Sequence, residues 1–174
     1  MTVTGMVLEL LSGLLVSVEI FAFTLLLALP LGLVVAWGRM SSARPVSTAF
    51  RLYISVVRGT PLMLQILFVY FAPYYLFGMS LAHYPRLLAT ILAFALNYAA
   101  YFAEIYRGGI LSVEVGQWEA AKALGLGRGR AFFRIVLPQM VKRVIPAVGN
   151  EVITLVKDNN IRSEERRVGK ECRS

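Results

Sequence analysis

The longest polar interval in the apolar part of the chain reads QWEAAKALG at residues 117–125 and ends with IVLP at residues 135–138. Residues 118–124 are good helix formers without Gly or Pro, so we predict a helix of about two turns. Gly125 should end this helix, because glycine tolerates the left-handed conformation found at helix C-termini. The Leu-Pro pair of IVLP should open the next helix. A helix this short is marginal alone, so we expect it to be ordered by docking against a partner.

The composition indicates the class of protein. Hydrophobic residues make up 57% of the 174 residues, charged residues make up 16%, and mean hydropathy is +0.66. A soluble domain of this size would be less apolar, whereas several spans of about 20 residues explain these values. We therefore predict an all-α integral membrane protein. Its one cysteine, Cys172, excludes an internal disulfide and a multi-cysteine metal site.

The net charge of +8 follows the loops. Basic residues cluster in residues 39–58, 107–143 and 157–174, whereas the loop before the third apolar stretch carries only Arg86 and residues 1–12 carry none. This alternation is the positive-inside pattern of membrane proteins, so the positions of the basic residues indicate which loops lie in the cytoplasm. It places residues 1–12 outside the cytoplasm, and we expect no nucleic-acid partner.

Four apolar stretches are candidate membrane spans. Before the second of them, residues 39–59 combine four arginines with apolar residues at helical spacing, which predicts an interfacial cytoplasmic segment. Thr60 is expected to cap the second span at its N-terminus, with Pro61 at its first position. The predicted spans are residues 13–37, 61–77, 87–106 and 138–157.

The third predicted span has two distinct faces. One is a ridge of small residues, Ala95, Ala99 and Ala103, along which another helix can approach closely. The other is polar and carries Asn97, Tyr101 and Glu104 at i, i+4 and i+7. Polar groups are costly in hydrocarbon, so this face should meet the bundle interior or a water-filled path.

Two roles are open for the polar residues within the spans. Glu104 is expected to pair with Arg107 as a structural clamp rather than to line a path, since it lies near the cytoplasmic end. Asn97 suits either role. Asn150 and Glu151 interrupt the fourth span, where they can line a cavity between subunits or hydrogen-bond to neighbouring helices. The candidate path residues are Asn97, Tyr101, Glu104, Asn150 and Glu151.

No bond-making chemistry is indicated. The chain contains no Gly-x4-Gly-Lys-Ser/Thr phosphate loop, no Gly-x-Ser-x-Gly and no His/Cys ligand spacing. Its single histidine, His83, lies in the loop at residues 78–86 without a second ligand. We expect no catalytic residue, no metal site and no ATP hydrolysis by this chain.

The polar interval resembles the signature of the membrane subunits of bacterial ABC importers. That signature is Glu-Ala-Ala, three residues, Gly, nine residues, Ile, one residue and Leu-Pro, and it is filled by Glu119, Ala120, Ala121, Gly125, Ile135, Leu137 and Pro138. Residues 58–62 (RGTPL), 99–110 (AAYFAEIYRGGI), 116–117 and 157–158 are similar to the polar amino-acid branch of that family. The resemblance covers residues 13–158.

This resemblance implies a fold and an activity. The fold would be the type I importer transmembrane helical bundle, with residues 13–158 as the permease domain and residues 107–143 as the coupling loop. Family members are permease subunits of the bacterial cytoplasmic membrane that pair as homodimers or heterodimers, carry two ATP-binding subunits and receive substrate from an extracytoplasmic solute-binding protein. ATP and Mg would bind to the ATP-binding partner. The coupling residues implied are Gln117, Glu119, Ala120, Ala121, Gly125 and Leu126.

Two other classes of membrane protein are weighed against this one. An ion-driven secondary transporter or channel component would use intramembrane carboxylates as ion relays, and only Glu104 and Glu151 qualify. A membrane enzyme would need a His/Asp/Glu cluster near the interface, which the sequence lacks. Neither class explains the polar signature.

The end of the chain conflicts with the predicted topology. Four spans that start outside would leave the basic residues 157–174 outside, against the positive-inside rule. The family usually has a fifth span here, whereas residues 162–174 are mostly charged and can neither span a bilayer nor form a core. We therefore expect a truncated permease in which residues 159–174 form a disordered tail of foreign sequence.

Overall fold

The computed structural model describes residues 3–78 and 86–171, and every regular element within those ranges is helical. The helices are α1 (Val3–Arg39), α2 (Arg44–Gly59), α3 (Leu62–Phe77), α4 (Arg86–Leu111), α5 (Val115–Ala123), α6 (Arg128–Ala131) and α7 (Leu137–Glu171), with a π-helical turn at Phe132–Val136. The all-α prediction is confirmed. The loop that contains His83 lies outside the described residues.

Among the residues that the structure describes, two helices are long and apolar enough to cross a membrane, at Gly13–Arg39 and Leu87–Leu111. They match the first and third predicted spans. The second predicted span is α3, whose 16 residues are short for a crossing, but α2 and α3 qualify together as one span bent by 113°. Residues 138–157 lie in α7 and do not qualify, because charged side chains interrupt them. The count of four spans stays a prediction.

Helix α4 forms the centre of the bundle. It contacts α1, α2, α3 and α7, and its Phe94, Tyr98 and Phe102 side chains are almost completely buried. The predicted small-residue ridge is buried as well, with Ala95, Ala99 and Ala103 each 1% exposed. The ridge therefore serves the close helix packing that its spacing predicts.

Gly32 is the point where α1 comes closest to α4. A Cβ atom at this position would lie 2.7 Å from the Phe102 Cβ and 3.3 Å from the Ala99 carbonyl oxygen. The Ala99 oxygen is a backbone atom, so no change of side-chain rotamer could relieve this contact. Only a glycine lets the two helices pack at this distance.

We expect Gly32→Val to destabilise the bundle by about 1–3 kcal/mol, the usual cost of overpacking. The matched control is Gly13→Val on the same helix, where a Cβ meets nothing within 4 Å. Fluorescence-detected size exclusion after a temperature ramp should give a lower midpoint for Gly32→Val only. Equal midpoints would show that α1 and α4 have room for a side chain at residue 32.

The prediction that Thr60 caps α3 is wrong. The Thr60 hydroxyl instead donates to the Val56 carbonyl, 2.9 Å away, and so binds the C-terminus of α2. Pro61 occupies the N-terminal cap of α3, where its carbonyl accepts from Leu64 at 3.1 Å. Thr60 has an extended backbone, which separates the two helices and produces the bend between them.

Helix α7 begins at Leu137, as the Leu-Pro pair predicts, but it continues a longer helical run. The helical run begins at Arg128 after Gly127 and continues through the π-helical turn into α7. Pro138 has no N–H, and its ring crowds the carbonyl four residues earlier, at Arg134. The wider π-helical turn directly before α7 lets the run continue past this proline.

Both predicted ends of the permease domain lie inside helices. Backbone helix begins at Val3, before residue 13, and α7 extends to Glu171, where the sequence predicts a disordered tail. Glu, Lys and Arg are good helix formers, which accounts for helical backbone in residues too polar to form a core. A foreign origin of residues 159–174 stays a prediction.

Candidate functional site

Helix α5 ends as the sequence predicts. Gly125 has a φ of +69°, in the left-handed region. The Leu126 N–H donates to the Ala121 carbonyl and the Gly125 N–H to the Lys122 carbonyl, each at 3.0 Å. This pair of bonds is the Schellman motif, which satisfies the last carbonyls of a helix.

One face of α5 is docked and the other is open. Ala121 is 1% exposed and lies where α5 contacts α6 and the π-helical turn. Glu119, Gln117 and Ala120 are exposed, and among the described residues Glu119 takes part in no ion pair. Large apolar side chains are exposed on the same part of the chain: Val115, Leu124 and Phe133. A carboxylate among exposed apolar residues is a surface suited to a protein partner.

The end of α4, just before α5, is held against α7. Arg143 of α7 donates to the Ser112 carbonyl at the end of α4. At Gly109 of α4, a Cβ atom would clash with Val144 and approach Met140, so α4 and α7 pack without space for a side chain. Helices α4 and α7 are therefore packed directly against each other just before α5 begins.

Glu104 binds two arginines, one on its own helix and one on α1. Arg107 donates to its Oε2 from Nε at 3.0 Å and from Nη2 at 2.7 Å, and Arg39 of α1 donates to its Oε1 at 3.2 Å. The Glu104 and Arg39 side chains are each 18% exposed. The predicted i+3 pair is present, whereas the Arg39 contact could not be predicted, since Arg39 and Glu104 are far apart in the chain.

Asn97 is held by a second helix. It is 5% exposed, and its Nδ2 donates to Gln65 Oε1 of α3 at 2.9 Å. Gln65 Nε2 in turn donates to the Val57 carbonyl at 2.7 Å. These contacts favour the packing role that the sequence left open for Asn97. Gln65 was missed as a functional candidate because a lone amide in an apolar span has no distinctive pattern.

A charged cluster lies between α2, α4 and α7. The Arg58 guanidinium lies 5.0 Å from the centre of the Tyr101 ring, a cation–π contact. The Tyr98 hydroxyl donates to Asp158 Oδ2 at 2.6 Å, and Glu151 is within electrostatic range of both Arg58 and Asp158. One predicted path residue, Tyr101, therefore contacts an arginine that the sequence did not single out, and a second, Glu151, interacts with that arginine electrostatically but forms no ion pair with it.

The remaining path candidate, Asn150, is exposed, and its carbonyl accepts from Thr154 of the same helix at 3.0 Å. Arg58 thus contacts Tyr101 and interacts electrostatically with Glu151, whereas Glu104 belongs to a separate contact with Arg39 and Arg107. Within the described ranges, no group of three His, Cys, Asp or Glu residues could hold a metal ion.

Two bacterial transport proteins are similar to this chain over most of its length. The L-cystine transport system permease protein TcyB of Bacillus subtilis (strain 168) is 37% identical over 152 residues, which cover 87% of this chain and 63% of TcyB. The arginine transport system permease protein ArtQ of the same strain is 40% identical over 151 residues, which cover 87% of this chain and 68% of ArtQ. The chain thus spans less than two thirds of TcyB.

Solved structures share the fold. A crystal structure of an amino acid ABC transporter with histidines matches with a TM-score of 0.81 and 37% identity, over 92% of this chain and 76% of that chain. An inward-facing MetNI methionine ABC transporter matches with a TM-score of 0.61 at 18% identity, which concerns the fold alone. Residues 28–159 match the family described as binding-protein-dependent transport system inner membrane component, and the chain belongs to that family.

Proposed function

We propose that this chain is the permease subunit of an ABC importer that moves a polar amino acid across the bacterial cytoplasmic membrane, with its N-terminus outside. ATP is hydrolysed by a separate subunit. The observation that carries the proposal is α5: a short docked helix that presents Glu119, which has no ion-pair partner among the described residues, beside exposed apolar residues. An exposed surface of this kind fits a partner that supplies a basic or polar receiving pocket.

Four partners complete the proposed importer. Two ATP-binding subunits engage α5 in the two permease subunits, and the second permease subunit is a copy of this chain or a relative. An extracytoplasmic solute-binding protein delivers the substrate. Closure of the ATP-binding subunits moves α5, and the Gly109 and Arg143 contacts carry that movement to α4 and α7. The coupling residues are Gln117, Glu119, Ala120, Ala121, Gly125 and Leu126.

The substrate class rests on two supports. TcyB and ArtQ are named for the transport of L-cystine and arginine, both polar amino acids. The charged cluster also offers the right chemistry: Arg58 can receive a carboxylate, and Glu151 can receive an ammonium group. The aromatic face of Tyr101 adds a surface for a cation.

An ion-driven transporter fits the contacts less well. A relay carboxylate must exchange its ion or proton during transport. Glu104 instead accepts three charge-assisted hydrogen bonds from two arginines. Such a carboxylate suits a clamp, so the importer remains the function best supported.

Uptake in proteoliposomes tests the proposal. The complex is reconstituted with its ATP-binding subunit and binding protein, and labelled L-arginine and L-glutamine are offered as probes. We expect accumulation of at least one probe that needs both ATP and the binding protein. Uptake driven by an ion gradient without ATP would contradict the proposal.

Replacing Glu151 tests the substrate-binding cluster. We expect Glu151→Gln to reduce uptake of L-arginine by about tenfold or more, because a hydrogen bond to a charged group contributes about 1.5–3 kcal/mol. Basal ATP turnover should be retained. The matched control is Thr154→Val on the same helix, whose hydroxyl binds only the Asn150 carbonyl in the contacts described. Equal uptake by both variants would remove Glu151 from the path.

A further inference from the structure

The Gln65 side chain binds the junction of α2 and α3. Gln65 Nε2 lies 2.7 Å from the Val57 carbonyl, 3.1 Å from the Thr60 carbonyl and 2.9 Å from the Thr60 hydroxyl. All three acceptors belong to the end of α2 or the residue that follows it. The amide nitrogen therefore binds the α2–α3 bend from the α3 side.

The other end of the same amide reaches the centre of the bundle. Gln65 Oε1 accepts a hydrogen bond from Asn97, which is almost completely buried in α4. The orientation of the Gln65 amide is fixed by this contact, because only its oxygen can accept from the Asn97 amide and only its nitrogen can donate to the bend. The hydrogen-bonded amides of Asn97 and Gln65 thus link α4 to the bend.

Arg58 lies directly before this bend and contacts the same helix. Its guanidinium packs over Tyr101, one turn along α4 from Asn97. Arg58 is otherwise exposed and belongs to no ion pair within the described residues. Its position over Tyr101 therefore depends on where the bend is held.

We propose that Gln65 and Asn97 are positioning residues for Arg58. Their hydrogen-bonded amides fix the α2–α3 bend against α4 and so keep the guanidinium over Tyr101, where it can receive a substrate carboxylate. This inference deepens the proposed function and rests on it for the role of Arg58, but the geometry of the bend is independent of transport. In this proposal, neither Gln65 nor Asn97 contacts the substrate.

A double-mutant cycle separates positioning from a general packing role. Asn97→Leu and Gln65→Leu each remove one partner, and we expect each to raise the KM for L-arginine uptake about fivefold to tenfold, the range of one hydrogen bond. In an Arg58→Gln background, neither change should have a further effect, because the group being positioned is absent. Effects that multiply with that of Arg58→Gln would overturn the proposal.

A distance measurement tests whether the amides hold the α2–α3 bend in place, and it does not require a complex that is active in transport. Nitroxide labels are placed at Gly59→Cys beside the bend and at Leu111→Cys at the end of α4, in a Cys172→Ser background diluted with unlabelled chains. Tyr101, which Arg58 contacts, is ten residues and so about 15 Å from Leu111 along α4. A Cβ at Gly59 meets nothing within 4 Å, and Leu111 is exposed, so both sites accept a label. We expect one narrow distance distribution that broadens with Gln65→Leu. An unchanged distribution would overturn the proposal.

A milder variant covers the case in which the leucine variants do not fold. Thr60→Val removes the hydroxyl that accepts from Gln65 at an exposed site. The matched control is Ser17→Ala, whose hydroxyl also donates to the carbonyl four residues earlier but meets no amide in the contacts described. We expect broadening for Thr60→Val and none for Ser17→Ala. Identical distributions in both variants would contradict the proposal, and a normal bend with no uptake in the parent complex would contradict the proposed function instead.

Discussion

Glu119→Lys should abolish transport while the chain still inserts in the membrane. Glu119 is exposed on α5 and lacks an ion-pair partner among the described residues, so its charge is available to a neighbouring subunit. Reversing the charge would place like charges together in a desolvated contact, which costs several kcal/mol and more than 100-fold in affinity. Uptake and binding-protein-stimulated ATP turnover should both fall to background.

Two further variants control this experiment. Gly125→Val should act like Glu119→Lys, because the left-handed φ of +69° penalises a β-branched residue and the Schellman closure of α5 would be lost. Gly127→Val lies two residues away without a positive φ and with open space around its Cβ, so we expect it to retain transport. Full stimulated turnover in Glu119→Lys and Gly125→Val would refute a coupling role for α5.

Glu104→Gln should lower the stability of the chain more than its transport per assembled complex. The change leaves Arg39 and Arg107 facing a neutral amide that cannot serve both guanidinium groups. Because these groups are partly exposed, we expect a cost of about 2 kcal/mol, between the values for exposed and buried pairs. The thermal midpoint and the yield of assembled complex measure this loss.

A second substitution distinguishes a clamp from a path residue. Adding Arg39→Gln to Glu104→Gln removes the unpaired guanidinium of α1, so the double variant should recover part of the lost stability. The clamp would be contradicted by normal stability with lost uptake per complex, since that pattern belongs to a residue on the substrate path.

Local rules predicted the parts of the site that are close in sequence. The end of α5 follows from glycine conformation at Gly125, and the Glu104–Arg107 pair follows from i+3 spacing on α4. The alanine ridge was found in the same way, because its period of four residues is a property of one helix. Each of these needs only the neighbouring turn of the chain.

Contacts between distant segments could not be predicted. The Arg39–Glu104, Gln65–Asn97 and Tyr98–Asp158 contacts depend on how α1, α3 and α7 cross α4. A sequence contains no local signal for these crossings. The start of α7 at the Leu-Pro pair was predicted, whereas the π-helical turn that joins α7 to the preceding helix was not, because no local pattern distinguishes such a turn.

Affinity purification of this chain from bacterial membranes tests the central claim most directly. The account predicts that an ATP-binding subunit is recovered with it, and that ATP turnover of the purified complex rises when the substrate-loaded binding protein is added. The Glu119→Lys variant purified in parallel should lose that rise. Recovery of the chain without an ATP-binding subunit, together with ion flux in liposomes, would contradict the account.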